Sequence, residues 1–158
     1  MQTAYRKVNV TGIETEVTKP LMRHAWGFDE GDWELLAAAY TEDATVDVEI
    51  DEGMTFMPVP EPHVAGREAV LEGYRNSYAS FRAGGERPWH LITNVLVDRH
   101  DDDTAEVRSF NLFLKSTPAG VAVFGMSRYH DHMVKDGGEW RIKSRVNRIS
   151  YAQTPPEA

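Results

Sequence analysis

WHLITNVLV (89–97), AEVRSFNLFL (105–114), VAVFGMSRYHDHMV (121–134) and EWRIKSRVNRI (139–149) follow one another with only short spacers between them. The spacers DRHDDD (98–103), STPAG (116–120) and KDGG (135–138) carry the Asp, Gly and Pro of turns. The four long runs are strands by residue type and alternation. Long strands joined in succession by short turns make an antiparallel meander.

Three helices are expected before this sheet. Ile13, Val17, Leu21, Ala25 and Phe28 recur at spacings of four and three and form one apolar stripe. Pro20 falls inside it, so this helix either begins near Pro20 or is kinked there. A short second helix has Asp32 as N-cap and Trp33, Leu36 and Tyr40 on one face. ATVDVEI (44–50) alternates as a strand, with Val46, Val48 and Ile50 on one side. A third helix starts near Arg67, carries Val70, Tyr74, Ser77 and Phe81 in register, and ends at Gly84 and Gly85. Helices covering one face of such a sheet define an α+β domain. A curved sheet closed by helices encloses an apolar interior suited to a small molecule.

The 158 residues are expected to form one domain, residues 1–158, with a core over about 13–151. MQTAYRK (1–7) and QTPPEA (153–158) are expected to be loose ends. DEGMTFMPVPEPHVAG (51–66) fits neither period and carries three prolines. A loop of that length is expected to be a pocket lid or to pack on a partner subunit, and both readings stand at this point.

A net charge of −8 with scattered cations disfavours nucleic acid and anionic membranes as partners. No apolar run is long enough to cross a bilayer, and MQTAYRKVNV shows no secretory signal core, so a cytoplasmic location is expected. Without cysteine there is no thiolate nucleophile, disulfide or zinc–thiolate site. No G-x-S-x-G, glycine-rich phosphate loop or dinucleotide fingerprint is present, so no cofactor is expected. His130 and His132 form an H-x-H, with Glu139 downstream, but no histidine follows to complete a metal set.

The remaining chemistry lies in FDEGDW (28–33) and PWHLITN (88–94). The first puts Asp29 in a break between helices, and the second puts His90 at the start of an apolar strand. A carboxylate that meets a histidine inside an apolar domain is a minimal kit for moving a proton. His90 alternates with Ile92, Asn94 and Leu96, so these four are expected to share a face. His90 is then either a general base or a core histidine satisfied by a backbone carbonyl. Arg108 alternates with Glu106, Phe110 and Leu112. Arg145 alternates with Arg141, Lys143 and Asn147 and is expected to face solvent.

FDEGDWELLAAAYTEDA (28–44), GREAVLEGY (66–74), WHLITN (89–94) and RYHDHMVKDGGEWRIKSR (128–145) occur in an order that resembles the SnoaL-like branch of the NTF2-like superfamily, the cone-shaped α+β fold of scytalone dehydratase and its relatives. The resemblance spans about Ile13 to Tyr151. It implies a curved mixed or antiparallel sheet wrapped on three N-terminal helices. In catalytic members an aspartate at the end of the first helix pairs with a histidine on the first meander strand, positions that match Asp29 and His90. Bile-acid dehydratase and hexachlorocyclohexane dehydrochlorinase lineages add a polar residue a turn before the aspartate, which here is His24. Scytalone dehydratase has a tyrosine where this chain has Phe28, and a second histidine where it has Arg108 or Ser109. Tyr129 and Asp131 match a Tyr-x-Asp of the group whose role there is mostly structural.

The resemblance therefore implies catalytic Asp29, His90 and His24, with Phe28, Tyr40, Asn94, Arg108, Phe110 and Met126 binding substrate. The implied activity is a lyase, isomerase or polyketide-cyclase reaction on a small, apolar, oxygenated metabolite. His90 would remove a proton, Asp29 would orient it, and His24 would protonate a leaving oxygen or hold an enolate. A homodimer or homotrimer is expected by analogy. The alternatives are an epoxide hydrolase of the limonene-epoxide hydrolase type, using Asp29, Arg108 and another aspartate, and a non-catalytic binding or dimerisation module.

Overall fold

The computed structural model describes residues 12–51 and 61–152. Helix α1 (Ile13–Glu30) runs unbroken through Pro20, whose ring is fully buried. Proline lacks the N–H that would bond to the Glu16 carbonyl, so packing compensates for one missing bond. Val17, Leu21, Ala25 and Phe28 form its buried stripe. Gly31 ends the helix in the left-handed conformation, φ 70°. Gly31 N–H returns to Phe28 O and Asp32 N–H to Gly27 O, the two bonds of a Schellman turn.

Asp32 caps helix α2 (Trp33–Ala37) by accepting from the Leu35 N–H at 3.0 Å. Tyr40, expected on the face of this helix, instead opens strand β1 (Tyr40–Ile50) and is fully buried. Gly27 allows α1 and α2 to meet, because a Cβ there would lie 2.6 Å from the Leu36 nitrogen. A three-residue strand β2 (His63–Ala65) lies in the segment expected to be a loop, antiparallel to β1. The lid or interface reading of that segment rests mainly on residues 52–60, which lie outside the described residues, as do the expected loose ends. Helix α3 (Arg67–Ala83) ends at Gly84.

Strands β3 (Arg87–His100), β4 (Thr104–Thr117), β5 (Gly120–Asp136) and β6 (Glu139–Ala152) form the expected meander. The six-stranded sheet has the order β2-β1-β6-β5-β4-β3, and β1 runs parallel to β6. Helices and the inner sheet face share a core that includes Val17, Leu21, Leu36, Val107, Met133 and Ile142.

Two bulges decide which side chains point inward. In β3, Thr93 faces Phe110 and Leu96 faces Arg108, so Asn94 and Val95 together oppose one residue of β4. Asn94 takes φ 52°, which the short amide side chain tolerates. Beyond it Val95 and Val97 pack on the core, while Asn94 and Leu96 are exposed. The simple alternation from His90 therefore stops at Ile92, and Asn94 does not share the face of His90. In β6, Ile142 faces Met133 and Ser144 faces His132, leaving Lys143 as the extra residue. The bulge turns Arg145 inward, where its exposure is 0%, correcting the expectation of a solvent-facing arginine.

Candidate active site

The Schellman turn sets Asp29 in the last turn of α1, beside edge strand β3. One carboxylate oxygen accepts from the His90 backbone N–H and the other pairs with His90 Nδ1, both at 2.7 Å. A carboxylate accepts only, so Nδ1 carries the hydrogen, and in the neutral ring Nε2 keeps the lone pair. The His90 and Asp29 side chains are nearly buried, at 6% and 9% exposure. Desolvation would be costly for either group alone, and the pairing offsets it. The imidazole lies against Phe113 (centroids 4.5 Å apart) and stands nearly perpendicular to Phe28, with centroids 5.0 Å apart. Phe113 in turn packs with Phe81 and Phe124, so one side of the dyad is an aromatic wall.

His24 is fully buried, with its ring 5.3 Å from that of His90 and at 74° to it. Its Nδ1 is 3.0 Å from the Tyr40 hydroxyl, while its Nε2 has no partner among the described residues. Burial, followed by the charge of Arg145 and the proximity of His90, holds its pKa well below 6.5, so it is neutral. The Tyr40 oxygen also lies 3.3 Å from the Tyr74 hydroxyl and 3.4 Å from Arg145 Nη1. Burial pushes the Tyr40 hydroxyl well above the usual phenol range, against the opposing pull of Arg145. Arg145 is bound two-pronged by Asp131, at 2.7 Å and 2.9 Å, and its guanidinium lies 3.9 Å from the Tyr129 ring centre. Burial works against the charge on Arg145, but Asp131 together with Tyr40 and Tyr129 raises its pKa well above the usual value, so it stays charged.

Two polar groups thus converge inside the cone: Asp29 with His90, and His24 with Tyr40, Tyr74, Arg145 and Asp131. Of the residues expected to bind substrate, Phe28 and Tyr40 lie inside with them. Asn94, Arg108, Phe110 and Met126 do not. Arg108, Phe110 and Met126 alternate onto the outer sheet face, the last two 46% and 47% exposed. Arg108 grips Asp98 there through Nε and Nη2, both at 2.6 Å. The inward positions on the same strands belong to Ser109, Asn111 and Ser127. His130 and His132 also face outward, and His132 Nδ1 pairs with Glu106 at 2.8 Å.

Sequence reading misses Arg145 and Tyr74, and it gives Asp131 no part in the interior chemistry. The bulge at Lys143 is silent in a period-two pattern, although Trp140 and Ile142 do show which parity begins inside. A groove of about 350 Å³ between α1 and β3, bordered by Met22, Trp26, Trp89 and Leu91, reaches Asp29 and His90 from outside. No helix among the described residues is long and apolar enough to cross a membrane.

A six-stranded sheet curled over three helices, with an acid–histidine pair at the end of the first helix, defines an α+β cone of the NTF2-like kind. The chain belongs to the SnoaL-like domain family, whose model matches residues 12–146. It is similar to the solved structure of an Asp-to-Asn variant of Rv3472, a protein of unknown function from Mycobacterium tuberculosis. That match has 28% identity and a TM-score of 0.68, covering 94% of this chain and 78% of the other. A provisionally named scytalone dehydratase from Novosphingobium aromaticivorans matches at 20% identity and TM-score 0.70, over 92% and 89% of the two chains. Aln2 from a Streptomyces species matches at 23% identity and TM-score 0.71, over 87% and 90%. The last two likenesses speak to the fold. No curated protein sequence matches the chain significantly.

Proposed function

We propose that this protein catalyses proton transfer at carbon in a small oxygenated metabolite, as a dehydratase, double-bond isomerase or cyclase that needs only its own side chains. The observation that carries the reading is the double grip of Asp29 on His90, which leaves Nε2 as a fixed base in an aromatic setting. His90 Nε2 takes a proton from carbon beside a carbonyl. The C–H electron pair moves into the carbonyl system, giving an enolate. The His90 imidazolium then returns its proton: to a β-hydroxyl that leaves as water, to another carbon, or to the alkoxide formed when the enolate attacks a second carbonyl. Asp29 holds the tautomer and offsets the imidazolium charge, as the aspartate of a serine-protease triad does. Phe28 and Phe113, set edge to face at 70°, supply apolar walls around His90.

The test is hydrogen–deuterium exchange in D₂O over a panel of cyclic ketones, enones and β-hydroxy ketones, followed by proton NMR. Exchange or elimination that depends on His90 supports the reading; a panel wholly untouched by wild-type protein counts against it. The epoxide-hydrolase alternative requires Arg108 beside Asp29, and Arg108 instead faces outward on Asp98. The oligomer implied by the family resemblance would use the outer sheet face, where Leu91, Phe110 and Met126 are exposed. Sedimentation of Phe110→Glu against wild type tests that pairing.

A further inference from the structure

We infer that Arg145 and Tyr40 hold His24 in the tautomer with hydrogen on Nε2, so that His24 meets a ligand as a neutral donor opposite the basic His90. The inference rests on the proton-transfer reading above and assigns the second half of its chemistry.

The hydrogens can be followed outward from Asp131. Its carboxylate takes Nε and Nη2 of Arg145, leaving Nη1 to donate to the Tyr40 oxygen at 3.4 Å. A cation on that oxygen makes the phenol a better donor and discourages further N–H groups from pointing at it. Tyr40 has one hydrogen, and its nearest acceptor is His24 Nδ1 at 3.0 Å, against 3.3 Å to the Tyr74 oxygen. Tyr74 is then free to donate into Tyr40. A neutral imidazole whose Nδ1 accepts must carry its hydrogen on Nε2. Burial keeps the ring neutral.

That Nε2 is buried without a partner among the described residues. An unmet buried donor is costly and calls for an explanation. A ligand oxygen supplies one. The two imidazole rings stand edge to face with centroids 5.3 Å apart, so an oxygen that reaches His24 Nε2 would lie next to His90. As His90 Nε2 removes the proton from carbon, negative charge develops on the neighbouring carbonyl oxygen. His24 Nε2–H donates a hydrogen bond to that oxygen and keeps its proton. The site thus selects a carbonyl compound whose oxygen lies two bonds from the acidic carbon. Tyr40 and Arg145 are positioning residues in this scheme.

Two opposite devices set the two tautomers. An acceptor, Asp29, leaves His90 bare at Nε2. A donor, Tyr40, leaves His24 hydrogenated at Nε2.

The test is ¹⁵N NMR of the histidine side chains in the full chain without ligand, with His24 assigned through His24→Gln. Two-bond nitrogen–proton couplings separate the tautomers. The expected result is Nε2–H for His24 and Nδ1–H for His90. Tyr40→Phe should shift His24 toward a mixture and leave His90 unchanged, whereas Tyr74→Phe should leave both unchanged. An Nδ1–H pattern for His24 in wild type overturns the inference, and indifference to Tyr40→Phe removes Tyr40 from it. If Tyr40→Phe does not fold, the wild-type and Tyr74→Phe spectra still decide. The readout needs no turnover. Expected tautomers in a protein inert toward the whole ketone panel would sink the catalytic reading alone, and activity with His24 as Nδ1–H would sink this inference alone.

Discussion

Asp29 accepts two hydrogen bonds from a single residue, the backbone N–H and the imidazole Nδ1–H of His90, both at 2.7 Å. The first bond fixes the height of β3 against α1, and the second fixes the ring. An amide at position 29 offers one acceptor where two are used. Asp29→Asn should therefore remain folded while losing proton-transfer activity by on the order of 10⁴-fold, the loss a wrong tautomer produces in a serine-protease triad. His90→Ala should lose at least as much. Exchange rates in D₂O, with circular dichroism as the folding control, check both, and near-wild-type exchange in either variant would falsify the assignment.

Asp131 and Arg145 are fully buried and joined by two hydrogen bonds. Asp131→Asn would strand the guanidinium among Tyr40, Tyr129 and the core. A loss of about 3–5 kcal/mol is expected, the cost of breaking a buried pair from one side. Asp131→Leu combined with Arg145→Met should recover much of that stability. Urea unfolding curves compare the three proteins.

Gly27 and Gly73 both lie inside helices and should respond oppositely to alanine. At Gly27 the added Cβ would meet the Leu36 backbone at 2.6 Å, so α2 must move, with an expected cost of at least about 1–3 kcal/mol. At Gly73 nothing lies within 4 Å of the new Cβ. There alanine should stabilise by about 1 kcal/mol through helix propensity alone. Thermal midpoints of the two variants give the comparison.

His24 ties stability to pH. Its folded pKa lies well below 6.5, while in the unfolded chain it titrates near that value. Below pH 6.5 the unfolded state binds a proton that the folded state refuses. The contribution is complete above pH 6.5 and drains away as pH falls, with a slope approaching about 1.4 kcal/mol per unit. Between pH 7.5 and 5.5 wild type should lose roughly 1 kcal/mol more than His24→Gln. Urea midpoints at the two pH values read this difference, and equal losses would remove His24 as the cause.

The meander, the three helices and the cap at Asp32 are legible from period, turn residues and capping chemistry, because each is a local signal. The positions of Asp29 and His90 are legible for a related reason: a helix end and a strand start are marked by glycine and proline nearby. The rest of the interior is not. Strict alternation groups Asn94 with His90, and Arg145 with solvent, because it runs through positions where the backbone adds a residue. A bulge depends on neighbouring strands and the twist they require, which a period-two pattern does not contain. Arg108, Phe110 and Met126 are misplaced differently. Their alternation is right, but an apolar or basic residue type does not say which face of a sheet is the concave one. Tyr40 illustrates a third limit: its helical spacing from Leu36 continues past the point where β1 begins.

The bulge at Lys143 carries more weight than its single residue suggests. It works as a parity switch for β6 from Ser144 to Ile149, where a second extra residue, Ser150, shifts the register again. Excising Lys143 would not merely shorten a strand; it would exchange the inner and outer sets from that point on, sending Arg145 outside and a neighbour of opposite parity into its place. Asp131 would then be a lone buried anion, and Tyr40 would lose the cation on its oxygen. The chemistry of the chamber therefore depends on an odd or even count in the backbone as much as on residue identity. A relative that keeps all these residues but differs by one insertion in β6 should be expected to run a different reaction, or none.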